Sequence, residues 1–310
     1  MGELAKKIGE QGEKIVLNFF DLIGWENTSY AIDLPCIMND KHKHSGTEER
    51  KEHGIDGLFH YETPLFDDLL EHIIISVKFS KNNYNQYPNS DFKSHFKDLA
   101  TAIECYDKSN LKNEYNEEYG GIDSETKGLL IWIHNKDCNE SIVDKIMKAQ
   151  IDNTLSYNSI YILDNNRVSF IDTSIKVIKN NYTNHIIKFH YIDTGHNLSI
   201  IKRQYDGDVL PIQMLFNDIQ LFKLEEKSTQ LVTLVMIVKD KFEKDSLEKI
   251  IGLSYNLSKN FTQVDIYFPD YDSLHNSNII SDIKRKFKDK EFTKKIKINS
   301  FENRFQNLGD

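Results

Sequence analysis

HGIDGLFHYETPLFDDLLEHIIISVKFS, residues 53–80, reads as two consecutive β-strands that carry an acid and an amine. Gly54-Ile55-Asp56-Gly57 opens the first strand, and Ile73–Phe79, rich in β-branched residues, forms the second. Strand residues two apart share a face, so Ser76 and Lys78 point one way while Ile75, Val77 and Phe79 point the other. If the strands pair, Asp56 and Lys78 converge at one end of a sheet. A carboxylate that holds a hard divalent cation, beside a lysine near an attacking water, suits metal-assisted phosphodiester hydrolysis. Taken singly, each residue has an ordinary explanation: Asp between two glycines is a common turn residue, and Lys near a strand end reaches water or guards an edge.

Upstream, residues 3–24 predict one amphipathic helix. Ile8, Ile15, Phe19, Leu22 and Ile23 recur at helical spacing, and Gly24 is the stop. Glu10 falls opposite this apolar stripe. Glu13 lies at its border near Val16 and Phe20, where a carboxylate can face a cleft while its helix packs on a sheet. Gly9 and Gly12 each cost roughly 1 kcal/mol relative to alanine inside a helix. Close approach of a ligand, close packing and a late helix start are all open accounts of them.

With Glu13 on a helix, Asp56 at one strand start and Ser76-Val77-Lys78 on the next strand, the sequence resembles the PD-(D/E)XK, or restriction-endonuclease-like, nuclease superfamily. The resemblance implies an α/β fold with a mixed sheet flanked by helices. It also implies catalytic roles for Asp56, Lys78 and Glu13. Asp56, Glu13 and the Val77 backbone carbonyl would hold Mg²⁺ or Mn²⁺, and Lys78 would orient or deprotonate water and offset transition-state charge. Ser76 stands where the superfamily has the first acid of its acid-x-Lys motif, and is left to hydrogen-bond a metal-bound water. Glu71 ranks below Glu13 as a stand-in acid. The two-domain plan also looks like nuclease subunits of bacterial anti-phage defence, implying DNA as substrate and a second protein subunit. Two other classes stay open: a nuclease-fold subunit that binds DNA or a partner without cleaving, and an RNA-directed nuclease.

The 310 residues are 39 % hydrophobic and 28 % charged, with a formal charge of −9. This balance predicts a globular protein and excludes a generally basic nucleic-acid coat, but allows a local basic cleft. Cys36, Cys105 and Cys138 are widely separated and match neither a disulfide framework nor a CxxC zinc site, so a reducing cytoplasm is expected. His42, His44 and His53 sit in the charged stretch 39–53, which reads as a solvated loop, no cysteine or carboxylate spacing supporting a metal cluster. The N-terminus lacks a signal core and residue 6 is not Ser or Thr, so neither secretion nor myristoylation is expected. Apolar runs such as Leu231–Val238 fall short of the ~20 residues that span a bilayer. No Walker A, GxGxxG, GxSxG or HExxH motif is present, which leaves nucleotide hydrolysis, hydride transfer and serine hydrolysis unsupported.

The remaining chain divides into an expected nuclease domain over 1–180 and a smaller α/β domain over 185–310 that binds a partner or nucleic acid. In the first, a strand is predicted at Tyr30–Leu34 and a helix at Asp91–Tyr106, with Phe92, Phe96, Leu99 and Ile103 as its core stripe. Lys93, His95 and Lys97 decorate that helix and read as solvated, weighed against lining the active cleft, which the resemblance implies for the helix after the acid-x-Lys strand. Residues 110–126 read as an acidic loop, Gly128–His134 as a buried strand and Ser141–Gln150 as a helix. Strands at Ser159–Leu163 and Val168–Asp172 flank a hairpin signal at 164–167. In the second domain, strands are predicted at Ile186–Ile192 and Asn197–Lys202, followed by a β-α-β-α-β run from Leu231. Its segment KRKFKDKEFTKKIK, residues 284–297, holds eight basic residues. Lys284, Arg285, Lys288, Lys294 and Lys295 are the candidate phosphate contacts, weighed against a solvated edge with its aromatics in the core.

Overall fold

The computed structural model describes residues 2–43, 49–135, 140–199 and 201–301, side chains of residues 2–11 and 13 excepted. The Glu13 side chain, His44 and Cys138 therefore lie outside the described residues. The chain forms two compact units, Met1–Val168 and Ser169–Phe305. The first runs α1 (Gly2–Ile23), β1 (Ser29–Pro35), β2 (Glu52–Glu62), β3 (Leu69–Ser80), α2 (Asn89–Tyr106), α3 (Asn110–Glu118), β4 (Asp123–His134), α4 (Ile142–Ile146) and β5 (Ser159–Asp164). The boundary falls inside α5 (Asn165–Asn181).

Five strands make the first sheet in the order β1-β2-β3-β4-β5. β3 is its centre. It pairs antiparallel with β2, Gly57 opposite Ile75 through Glu62 opposite Leu70, and parallel with β4 over its whole length. A central strand covered on both faces reads as a near-continuous apolar run, and Ile73, Ile74 and Ile75 are all buried. α2 drives Phe92, Phe96, Leu99 and Ile103 into a cluster that contains Ile74 and Leu130. α1 packs at Phe79, which by strand alternation faces the other way. A Cβ added to Gly12 would lie 2.5 Å from the Cβ of Phe79, so close packing is the account of that glycine. Gly24, at φ 78°, ends α1, and Trp25 N–H closes back on the Phe20 carbonyl at 2.9 Å.

Three local expectations are corrected. Residues 110–118 are helical rather than loop: the Ser109 hydroxyl accepts from Lys112 N–H at 3.2 Å as an N-cap, and Leu111 and Tyr115 pack on the α2 cluster. The hairpin expected at 164–167 is a helix start, with Asp164 Oδ1 accepting from Arg167 N–H at 3.0 Å. Val168, Ile171, Ile175 and Ile178 then follow helical spacing into a buried stripe. The helix expected over 141–150 shrinks to the five residues of α4.

The second unit carries β6 (His185–His190), β7 (Asp206–Gly207), β8 (Ile219–Glu226), β9 (Val232–Val238), α6 (Lys244–Leu257), β10 (Gln263–Phe268), α7 (Ser273–Lys286), α8 (Lys290–Lys295) and β11 (Ile296–Ser300). Its sheet runs β11-β10-β9-β8-β6-β7, parallel among β9, β10 and β11. The described residues of 197–202 form no strand, and β6 pairs antiparallel with β8. Residues 292–295, expected to begin the last strand at Phe292–Ile298, belong to α8, capped by Asp289, which accepts from Phe292 N–H at 2.9 Å.

Candidate active site

A cleft of about 760 Å³ opens at the end of β3 where the chain leaves the sheet. Val16, Leu17 and Phe20 of α1 form one wall and Tyr30 and Ala31 of β1 another. Asp56, Gly57, Val77, Lys78 and Phe79 lie at its floor, and Asp91, His95 and Trp132 close the far side. Asp56 and Lys78 thus share one cleft, and both are described side chains.

Asp56 owes its position to a break in the sheet. β1 and β2 pair on both sides of it, Tyr30 with Gly57 and Ile32 with Ile55, but Ala31 and Asp56 are left out of the ladder. Ala31 adopts φ 52°, a backbone region that L-residues rarely enter. Strand alternation slips here, since Ile55 and Leu58, three apart, both reach the core cluster of α2. Asp56 stays exposed between buried neighbours. Its Oδ2 accepts from the Val77 N–H at 2.7 Å, just past the last β2–β3 pair. In a strand, a residue's N–H and C=O point to the same edge, so the Val77 carbonyl projects to the side that carries Asp56. A carboxylate and a backbone carbonyl on one edge are hard oxygen donors, which fits Mg²⁺ or Mn²⁺ better than a softer ion.

Lys78 is half-buried at the floor. His95, on α2, lines the same cleft and meets Trp132 edge-on at 5.1 Å between ring centroids. Burial, with the Lys78 ammonium adding to it, holds the His95 imidazole below its ordinary pKa. His95, which the sequence leaves between solvent and the cleft, is a cleft residue, and so is Asp91, which the sequence marks only as the start of the helix. Lys93 and Lys97 are exposed and are not among the cleft residues. Asp91 accepts from Asn85 Nδ2 at 2.8 Å, which ties the loop after β3 to the helix. That loop is anchored from below by Tyr84, whose hydroxyl donates to the Trp132 carbonyl at 2.6 Å.

Two expectations change around this cleft. Ser76 lines a smaller cavity of about 120 Å³, with Arg50, His53 and Asp98, rather than the cleft that holds Asp56; Lys78 borders both. Glu71 is no stand-in acid, because it is fully buried, accepts from the Tyr61 hydroxyl and pairs with Lys127.

In the second unit, Lys284 Nζ donates to the Ile296 carbonyl at 2.7 Å and Lys295 Nζ to the Phe261 carbonyl at 3.3 Å. Lys294 pairs with Glu291 at 2.7 Å and Arg285 with Asp282 at 3.3 Å, both exposed. Lys288 is exposed. Phe292 is buried and Phe287 packs against the same core, so these aromatics serve the fold.

The stretch 39–53 is not a solvated loop at His42 and His53. His42 and His53 are 2 % and 3 % exposed and meet Cys36 and Cys105, their donor atoms all within 4.8 Å of one another. No sequence spacing announces this group, because Cys105 comes from the far end of α2.

A family model described as the GAPS4 protein PD-(D/E)XK nuclease domain matches residues 1–167. No curated protein and no solved structure was found to match the chain.

Proposed function

Because the chain belongs to the family of GAPS4 PD-(D/E)XK nuclease domains, a family of defence nucleases, we propose that it is a Mg²⁺- or Mn²⁺-dependent enzyme that hydrolyses DNA phosphodiesters, working in the cytoplasm with a second protein subunit. The observation that carries this proposal is the shared cleft of Asp56 and Lys78, with the carboxylate bound to the main chain of the strand that bears the lysine. Nucleases of this superfamily typically use divalent metals. Asp56, the Val77 carbonyl and Glu13 would hold the ion, which supplies Lewis-acid polarisation of the phosphate and a more acidic water.

The protein's own groups do the rest. Asp56 is fastened at Oδ2 to the Val77 N–H, which holds its carboxylate at the cleft. The Lys78 ammonium orients the attacking water and offsets the negative charge that builds as the new P–O bond forms and the ester oxygen leaves. The walls of Val16, Leu17, Phe20 and Ile75 reduce water around these groups and so strengthen their electrostatic effect. Arg285, Lys288 and Lys294 are exposed cations that can contact phosphates, and such contacts weaken steeply with salt. Lys284 and Lys295 contribute less, since their ammonium groups already serve backbone carbonyls.

A second reading, a subunit that binds nucleic acid without cutting it, is favoured by one observation: Ser76 replaces a metal-ligating acid and lines the other cavity. The test is a side-by-side cleavage assay on duplex DNA and tRNA with Mg²⁺, Mn²⁺ or chelator, using wild type, Asp56→Asn and Lys78→Ala. Metal-dependent nicking of DNA, lost in both variants, supports the enzyme. Binding without nicking by all three proteins supports the second reading, and cleavage confined to tRNA reassigns the substrate.

A further inference from the structure

We propose that Cys36, His42, His53 and Cys105 form a structural Zn²⁺ site, separate from the nuclease cleft. The site joins three parts of the first unit: the segment that follows β1 supplies Cys36 and His42, β2 supplies His53, and the last turn of α2 supplies Cys105.

The distances carry the assignment. Zinc bound by two thiolates at about 2.3 Å and two imidazoles at about 2.0–2.1 Å sets tetrahedral S···S edges near 3.8 Å and S···N edges near 3.6 Å. Cys36 Sγ lies 3.9 Å from Cys105 Sγ, and His42 Nδ1 lies 3.6 Å and 3.4 Å from the two sulfurs. Three of the four donors therefore already stand at the corners of one tetrahedral face. His53 supplies the fourth, within 4.8 Å of the others, and an inward shift of roughly 1 Å closes the figure.

The surroundings of His42 match those of a metal-ligating imidazole. Its Nε2 lies 3.1 Å from Glu104 Oε2, so Nε2–H donates to the carboxylate and the Nδ1 lone pair is turned to the sulfurs. Both Glu104 oxygens take Lys41 Nζ at 2.9 Å, and Lys108 stands 3.6 Å from Oε1. Neither described cysteine is in a disulfide. Without a metal, two buried thiols would compete for one imidazole nitrogen. With Zn²⁺, two thiolates balance the ion and every donor is used. Thiolate donors and a closed set of four select Zn²⁺ over the hard cation of the cleft.

The ion would brace the start of β2 against α2. His53 precedes Asp56 by three residues, and Arg50, 3.3 Å from His53 Nδ1, also reaches Asp98 of α2 at 3.0 Å.

The test uses the full chain, purified and dialysed against a mild chelator. Elemental analysis should find about one zinc per chain, lost in Cys105→Ser and in His42→Ala. Glu104→Gln, which leaves all four ligands, should weaken zinc affinity roughly 10–100-fold. Since the ligand variants can misfold, the unmutated ligand set is also read by exchanging Zn²⁺ for Co²⁺, which should give the visible spectrum of a tetrahedral thiolate site. In a Cys138→Ser background, Cys36 and Cys105 should be silent to a thiol reagent until zinc is stripped, when both react. Absence of stoichiometric zinc with promptly reactive thiols would overturn the proposal. So would thiols that appear only after a reductant, which would mean a Cys36–Cys105 disulfide.

Discussion

Gly12→Ala is the sharpest test of how α1 meets the sheet. In an exposed helix interior, alanine for glycine stabilises by roughly 1 kcal/mol, through a smaller loss of backbone entropy. At Gly12 the new methyl would stand 2.5 Å from Phe79 Cβ and 2.7 Å from its Cγ, where carbon atoms rest at about 3.5–4.0 Å. The obstructing atom is a Cβ, fixed to the backbone of β3, so no rotamer change of Phe79 relieves the clash. Either α1 lifts by about 1 Å or β3 bends, and overpacking of this kind costs about 1–3 kcal/mol. Gly252 is the internal control: it lies inside α6, and nothing would stand within 4 Å of its added Cβ. The propensity gain is common to both positions, so the difference between the two substitutions isolates the packing cost of about 1–3 kcal/mol. Both tryptophans, Trp25 and Trp132, are buried in the first unit, so their fluorescence in urea follows that unit's transition, while circular dichroism sums the helices of both units and the second unit's transition is the part of it that fluorescence does not follow. Phe79 adjoins Lys78, so the displaced helix should also lower cleavage. If Gly12→Ala stabilises the first unit as much as Gly252→Ala stabilises the second, the close contact of α1 on β3 is wrong.

Other outcomes follow from single groups. Asp56→Asn should cut the nuclease rate by about 10²-fold or more while the urea midpoint holds, because the residue is exposed and its role is at the cleft; an unchanged rate would remove Asp56 from the site. Glu71→Gln leaves the Lys127 ammonium buried with Glu125 alone, at 2.9 Å, and should cost about 3 kcal/mol in urea unfolding. Burial lowers His72 to about 4, although Asn116 and Tyr106 satisfy both ring nitrogens. Its folded pKa is depressed, so its contribution is complete above the unfolded value near 6.5 and is lost as pH falls toward 4. That loss is about 3 kcal/mol, and His72→Gln should flatten the corresponding slope of stability against pH. Equal slopes for the two proteins would count against a buried neutral His72.

What the sequence disclosed was whatever follows local periodicity. The isoleucines of β3 and the stripe of α1 are repeats within one element, and Gly24 ends α1 by a rule local to its own turn. Asp56 and Lys78 were legible because a short connection links their strands. Val168–Asp172 misled because β-branched residues fit a strand over five positions, and the helical stripe is complete only at Ile178. At His95 the sequence leaves a solvated face and a cleft wall both open, because a helix face that looks polar can border either, and Asp91 carries no signal beyond its place at the helix start. The Cys36, His42, His53 and Cys105 group was hidden for a different reason. Its members come from three elements that meet only after α2 has folded back across the sheet, a contact that no spacing along the chain encodes.

The bond from Val77 to Asp56 involves a peptide N–H, so it does not depend on which side chain residue 77 carries. Any residue there can retain that anchor except proline, which lacks the hydrogen. Position 77 should therefore tolerate broad replacement with its anchoring role intact, while Val77→Pro alone would release the carboxylate from the neighbouring strand.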